Sequence, residues 1–152
     1  MKLSNFSGKT IAIMVASGFD ETAFIAIQRA MMTAGGKLKV VSREAGLTSA
    51  WNGTGWGMSY PADATLSTTL AIDFDALIVP SGSRHIESLK TEAHAKRVLR
   101  AFLRENMPVL LQGEAIEMID LIDAGIHPVG VKQQKKQLLV KSTHRNPEVQ
   151  GE

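Results

Sequence analysis

The stretch Pro108–Ala115, PVLLQGEA, decides how this chain is read. Pro108-Val109-Leu110-Leu111 is an apolar run of strand length, Gly113 supplies a turn, and Glu114 to Ala124 carries apolar residues at helical spacing. The reading is strand, tight turn, helix, with the helix N-terminus directed at whatever the turn holds. Such a turn can set a nucleophile in a strained, exposed position beside backbone N–H groups and the positive end of a helix. Here it carries Leu111, Gln112 and Gly113, none of which is a nucleophile, and the chain has no cysteine. The sequence has the architecture of a covalent catalyst without the atom that would do the chemistry.

Working outward from the elbow, Lys9 to Ala16 (KTIAIMVA) is a buried-strand run that ends in a Ser-Gly turn. Asp20 to Ala34 places Phe24, Ile27, Ala30 and Met31 on one helical face, with Asp20 as N-cap and Gly35-Gly36 as the stop. Leu38 to Ser42 is the next strand, and this β-α-β spacing implies a right-handed crossover and a parallel sheet. Gly46 to Gly57 reads as a hairpin or flap, and Ala64 to Leu66 as a short strand. Phe74 to Pro80 is a third buried strand, ending at Ser81-Gly82-Ser83. Thr91 to Asn106 is a helix with Ala95, Val98, Leu99 and Phe102 inward. The alternation predicts an α/β fold, a flavodoxin-like three-layer sandwich with a mostly parallel sheet. Residues 1–130 are expected to form one domain, and 131–152 a basic C-terminal strand and tail, with Leu138-Leu139-Val140 as the strand.

Composition narrows the function classes. At 152 residues, with 44% apolar content, the chain can bury a sizeable core. No apolar run reaches the roughly 18 residues of a membrane span. No apolar signal segment precedes the first strand, so the expected location is the cytoplasm and no membrane partner is expected. Residues 1–130 hold 12 basic and 13 acidic side chains, whereas 131–152 hold 5 and 2. The positive balance therefore lies in the tail, and the body lacks the basic excess of a nucleic-acid binder. Zero cysteines remove disulfides, thiolate metal sites and thiol catalysis together. His85, His94, His127 and His144 show no metal-ligand spacing, so neither a metal nor a cofactor is expected.

Three strings carry a family resemblance: IAIMVASGFDETAF, DFDALIVPSG and PVLLQGEA. Together they resemble the ThiJ/PfpI superfamily, with its class I glutamine amidotransferase-like fold, over roughly residues 8–128. Where members read D-A-L-x-x-P-G-G, this chain has Asp75 to Gly82, with Ser81-Gly82 for the glycine pair whose backbone N–H helps form an oxyanion hole. Where they carry the elbow cysteine and histidine, it has Leu111-Gln112-Gly113, with Gln112 standing where the histidine would be. PVLLQGEA is most similar to the corresponding segment of the C-terminal domain of large-subunit catalases, which also lacks the cysteine. The chain has no room for a haem catalase core, so the resemblance implies a free-standing relative of that domain or a piece of such a catalase. It implies a stabilising, oligomerising or chaperone-like role in stress response, performed by a pseudoenzyme. Two alternatives stay open: a residual hydrolase or deglycase using Ser81 or a bound water, and a small-metabolite sensor.

The candidate site residues follow. Gln112, Gly113 and Glu114 at the elbow can hold a small anionic ligand or a carbonyl on backbone N–H groups and the Gln112 amide, or form a leftover turn in which Glu114 favours the helix end. Asp20 and Glu21 fall where the superfamily places a glutamate beside the cysteine thiolate, although Asp20 is equally explained as a cap. Ser81 with His85 is the one nucleophile–base pair the spacing offers, and it lacks an orienting third group. Balanced together, these features lean away from an enzyme. Trp51 and Trp56 among Gly53, Gly55 and Gly57 suit either a flap packed on its own sheet or an interface. The family's terminal cover helix has no counterpart after Gly130, which predicts a homodimer or higher homo-oligomer that covers the exposed face.

Overall fold

The computed structural model describes residues 7–122, 126–129 and 137–142. It begins with β1 (Thr10–Val15), β2 (Phe19–Asp20) and α1 (Glu21–Ala34). Asp20 caps α1, its Oδ1 accepting the Thr22 N–H at 3.1 Å, and Gly35 ends it in the left-handed conformation. There follow β3 (Lys37–Ser42), β4 (Leu47–Trp51), β5 (Trp56–Pro61), β6 (Ala64–Thr65) and β7 (Ala76–Val79). The second half holds α2 (Ser83–Lys90), α3 (Ala93–Arg104) and β8 (Val109–Gln112). A 3₁₀ helix (Gly113–Leu121), β9 (Ile126–Val129) and β10 (Gln137–Ser142) follow, and two short 3₁₀ turns, Leu66–Thr68 and Ala71–Asp73, lie between β6 and β7.

The main sheet runs in the order β6-β3-β1-β7-β8-β10-β9. Its first five strands are mutually parallel, and β10 lies antiparallel to both β8 and β9. β1 is central, and its alternation assigns its side chains to two cores. Ile11, Ile13 and Val15 pack with Phe24, Ile27 and Met31 of α1. Ala12 and Met14 pack with Leu89, Leu99 and Phe102 of α2 and α3 and with Met118 of the 3₁₀ helix. The result is the α/β three-layer sandwich with a mostly parallel sheet that the alternation of elements predicts. A separate three-stranded sheet, β2-β4-β5, stands beside the site.

Two departures from the sequence reading lie beside the site. The elbow is followed by a 3₁₀ helix over Gly113–Leu121, where the spacing predicts an α-helix over Glu114–Ala124; Asp123 and Ala124 lie outside the described residues. Burial along the 3₁₀ helix follows a period of three. Ala115 and Met118 are buried, Ile116 and Ile119 are partly buried, and Glu114, Glu117 and Asp120 are exposed, as a helix of three residues per turn requires. The second departure is α2, a helix that the sequence reading does not anticipate. Its buried residues His85, Ile86 and Leu89 lie within one helical stripe. The flap resolves into the β4–β5 hairpin, turning through Asn52–Gly55. The expected C-terminal strand is β10, which pairs with β8 inside the main sheet. Among the described residues, no helix is long and apolar enough to cross a membrane.

Candidate functional site at the elbow

The site lies where β1, β7 and β8 end. In parallel α/β sheets the carboxyl ends of neighbouring strands form the usual binding crevice. Ser81-Gly82 follows β7, and Gly113-Glu114 follows β8. Asp20 reaches the same place from the start of α1.

Gly113 is the residue with the elbow conformation, at φ +53°. A Cβ on it would lie 2.8 Å from the Ser81 Cβ, so the position takes glycine for space as well as for backbone freedom. The resemblance, with Gln112 at the histidine, places the cysteine position at Leu111; the structure corrects this, because Leu111 is buried in the core and the turn with positive φ falls two residues later, at Gly113. The Oε1 of Gln112 is buried and has no hydrogen-bond partner among the described residues.

The Ser81-Gly82 loop is held from both sides. The Asp20 N–H donates to the Ser81 carbonyl at 2.9 Å, and the Ser81 hydroxyl donates to Asp20 Oδ2 at 3.2 Å. The Gly82 N–H donates to Glu114 Oε1 at 3.0 Å. Gly82 has φ +135°, and a Cβ there would meet the Asp20 nitrogen at 2.7 Å. The geometry thus brings Asp20, Ser81, Gly82, Gly113 and Glu114 together.

Two of the expected site residues are committed elsewhere. His85 is fully buried, and its Nδ1 accepts from the Ala16 N–H at 3.3 Å while Nε2–H donates to the Pro80 carbonyl at 2.7 Å. Burial pushes its pKa from 6.5 down to about 4, against a smaller upward pull from the Pro80 carbonyl and the carboxylates of Glu114 and Asp20. The ring is neutral and has no free nitrogen for a Ser81 proton. Ser81 itself hydrogen-bonds a carboxylate, not an imidazole. Glu21 turns to the hairpin, its Oε2 accepting from the Met58 N–H and the Tyr60 hydroxyl, each at 3.1 Å.

The hairpin brings two aromatic rings beside the loop. Trp51 is partly buried and Trp56 is 57% exposed, and their rings meet edge to face at 5.3 Å. The Arg84 guanidinium lies 4.0 Å from the Trp51 ring centroid, a cation–π contact that sequence reasoning missed. The signal for it was faint: an arginine two residues past a Ser-Gly turn and a tryptophan pair far away in the chain. No group of three or more potential metal ligands occurs among the described residues.

A three-layer α/β sandwich with an elbow after its fourth parallel strand, counted across the sheet from β3, defines a class of proteins built around that turn. The chain belongs to the DJ-1/PfpI family, whose profile matches residues 9–128. It is 28% identical over 102 residues to general stress protein 18 of Bacillus subtilis, covering 67% of this chain and 58% of that protein. Among solved structures it is similar to Drosophila melanogaster DJ-1beta, with a TM-score of 0.64 at 19% identity, covering 74% of this chain and 59% of the other. A two-domain protein from Anabaena variabilis, with DJ-1/ThiJ/PfpI-like and ferritin-like domains, matches with a TM-score of 0.67 at 19% identity, over 74% of this chain and 32% of that one. The chain therefore spans less than two thirds of each of these relatives.

Proposed function

We propose that this protein is a non-catalytic member of its family, a binding and assembly module comparable to the C-terminal domain of large catalases. One observation carries the reading: the elbow residue is Gly113, and Ser81 fills the space a side chain would need there. The commitment of both His85 nitrogens to backbone groups supports it, because Ser81 then lacks a base. The similarity to a general stress protein favours a stress-related, stabilising role.

The test is turnover. Purified full-length protein should hydrolyse no peptide or amide and consume no glyoxal above background. Turnover lost in Ser81→Ala would reject the module and establish the residual hydrolase. A second reading, a small-metabolite sensor, rests on the buried, unpartnered Oε1 of Gln112. A ligand that donates a hydrogen bond there should protect the protein against thermal unfolding, and Gln112→Leu should abolish that protection.

Assembly is part of the proposal. Trp56 and Met58, two residues apart on β5, are 57% and 66% exposed, apolar surface that a homo-oligomer would bury.

A further inference from the structure

The most telling contact at the elbow is the one that occupies its hydrogen-bond donor. In acyl-transfer sites a backbone N–H beside the elbow is aimed at the oxygen that gains charge. Here the Gly82 N–H is already bonded, to a carboxylate of the chain itself, across 32 residues of sequence. Glu114 reaches it because Gly113, immediately before it, takes the φ +53° turn against Ser81.

We infer that Glu114 is an internal ligand: its carboxylate sits in the anion position of the elbow and keeps small carboxylates off the Gly82 N–H. This rests on the non-catalytic reading. Three features converge on it. The loop is held by the Asp20 N–H on the Ser81 carbonyl and by the Ser81 hydroxyl on Asp20, so Gly82 has little freedom to turn its N–H to another partner. Asp20 adds a second carboxylate to the same loop, and an incoming anion would meet both charges. The buried His85 ring below feels the field of the same two carboxylates but is neutral, so it supplies no compensating cation. The small anionic ligand expected from the sequence is thus replaced, at this donor, by a side chain of the protein.

The inference predicts a site that appears when the side chain is removed. The measurement is the Gly82 amide resonance of the isotope-labelled full chain during a formate titration, with chloride holding ionic strength constant. In the wild type the resonance should stay in place. In Glu114→Ala it should move saturably, as formate takes the vacated position. Glu114→Gln covers the case in which the alanine variant does not fold: its neutral amide oxygen is the weaker acceptor, and formate should displace it with a smaller saturable shift. A wild-type resonance that moves saturably with formate overturns the inference, and so does a resonance that stays still in every folded variant. An equal response to chloride alone also overturns it. Enzymatic turnover by the wild type with an unmoved Gly82 resonance would instead strike at the non-catalytic reading and leave the Glu114 contact standing.

Discussion

At the scale of single residues, His85 is a clamp. It ties the backbone just past β1, at Ala16, to the backbone just past β7, at Pro80, and it does so only as the neutral ring. Protonation would remove the Nδ1 lone pair that receives the Ala16 N–H. The folded pKa of about 4 lies below the ordinary 6.5, so the unfolded chain binds the proton more readily between those values. The clamp's contribution is complete above pH 6.5 and is lost as the pH falls through 4. The loss should be on the order of 3 kcal/mol, since each tenfold difference in proton affinity is worth about 1.4 kcal/mol. Urea unfolding from pH 7 to pH 4 should show that slope, and a folded His85→Gln variant should lack most of it. Gly113 is the second decisive residue. Gly113→Ala should destabilise the fold by about 1–3 kcal/mol, through the left-handed backbone and the contact with Ser81; chemical denaturation measures it, and an unchanged midpoint would contradict the geometry. The sequence showed that a glycine stood at the turn. It did not show which of Leu111, Gln112 and Gly113 carries the strained backbone, because that depends on Ser81, which is far away in the chain.

At the scale of elements, the hairpin illustrates how a short edge is managed. β5 has one neighbour in its sheet, β4, and Glu21 receives a β5 N–H that β4 does not use. Glu21→Ala should free the Met58 amide, speed its hydrogen exchange and cost about 1–2 kcal/mol. Tyr60, the single tyrosine of the chain, gives an independent readout. Its pKa is raised above 10.0, first by burial and then by Glu21. In Glu21→Ala the alkaline absorbance titration should move down toward the ordinary value without reaching it, because burial remains. The 3₁₀ helix makes a different point. Its period of three was present in Glu114, Glu117 and Asp120, but a nine-residue stretch fits 3.0 and 3.6 residues per turn almost equally well. Packing of Ala115 and Met118 against the second core decides between them.

At the scale of the whole molecule, exposed apolar side chains lie on the hairpin at Leu47, Trp56 and Met58 and away from it at Leu70 and Ile72, while Met32 on α1 is 78% exposed. Beside it, a groove of about 680 Å³ between α1 and the β3–β5 region is lined by Phe24, Leu38 and Tyr60. An oligomer that covers the hairpin should weaken when Trp56→Ala and Met58→Lys are combined, with the sedimentation coefficient falling toward the monomer value at micromolar concentration. A wild-type monomer at tens of micromolar would reject assembly. A wild-type oligomer unaffected by the double substitution would move the contact off the hairpin.

Some of this was fixed by the chain alone. Alternating apolar runs and helical stripes determine the order of layers, since each element must bury one face and parallel strands must bury two. Asp20 and Gly35 mark the ends of α1 because capping is chemistry between residues close in sequence. The lack of a cysteine is likewise visible without any structure. The partners of the polar side chains were decided only by the tertiary fold. Glu21 goes to the hairpin, Glu114 to Gly82, His85 to two strand ends and Arg84 to Trp51, across separations of 30 residues or more in all but one bond. A carboxylate or an imidazole can satisfy its hydrogen bonds in many places, and sequence pattern encodes burial far better than it encodes which donor lies nearest. Whether the elbow holds a ligand or the protein's own side chain is therefore a property of the folded loops, not of the motif.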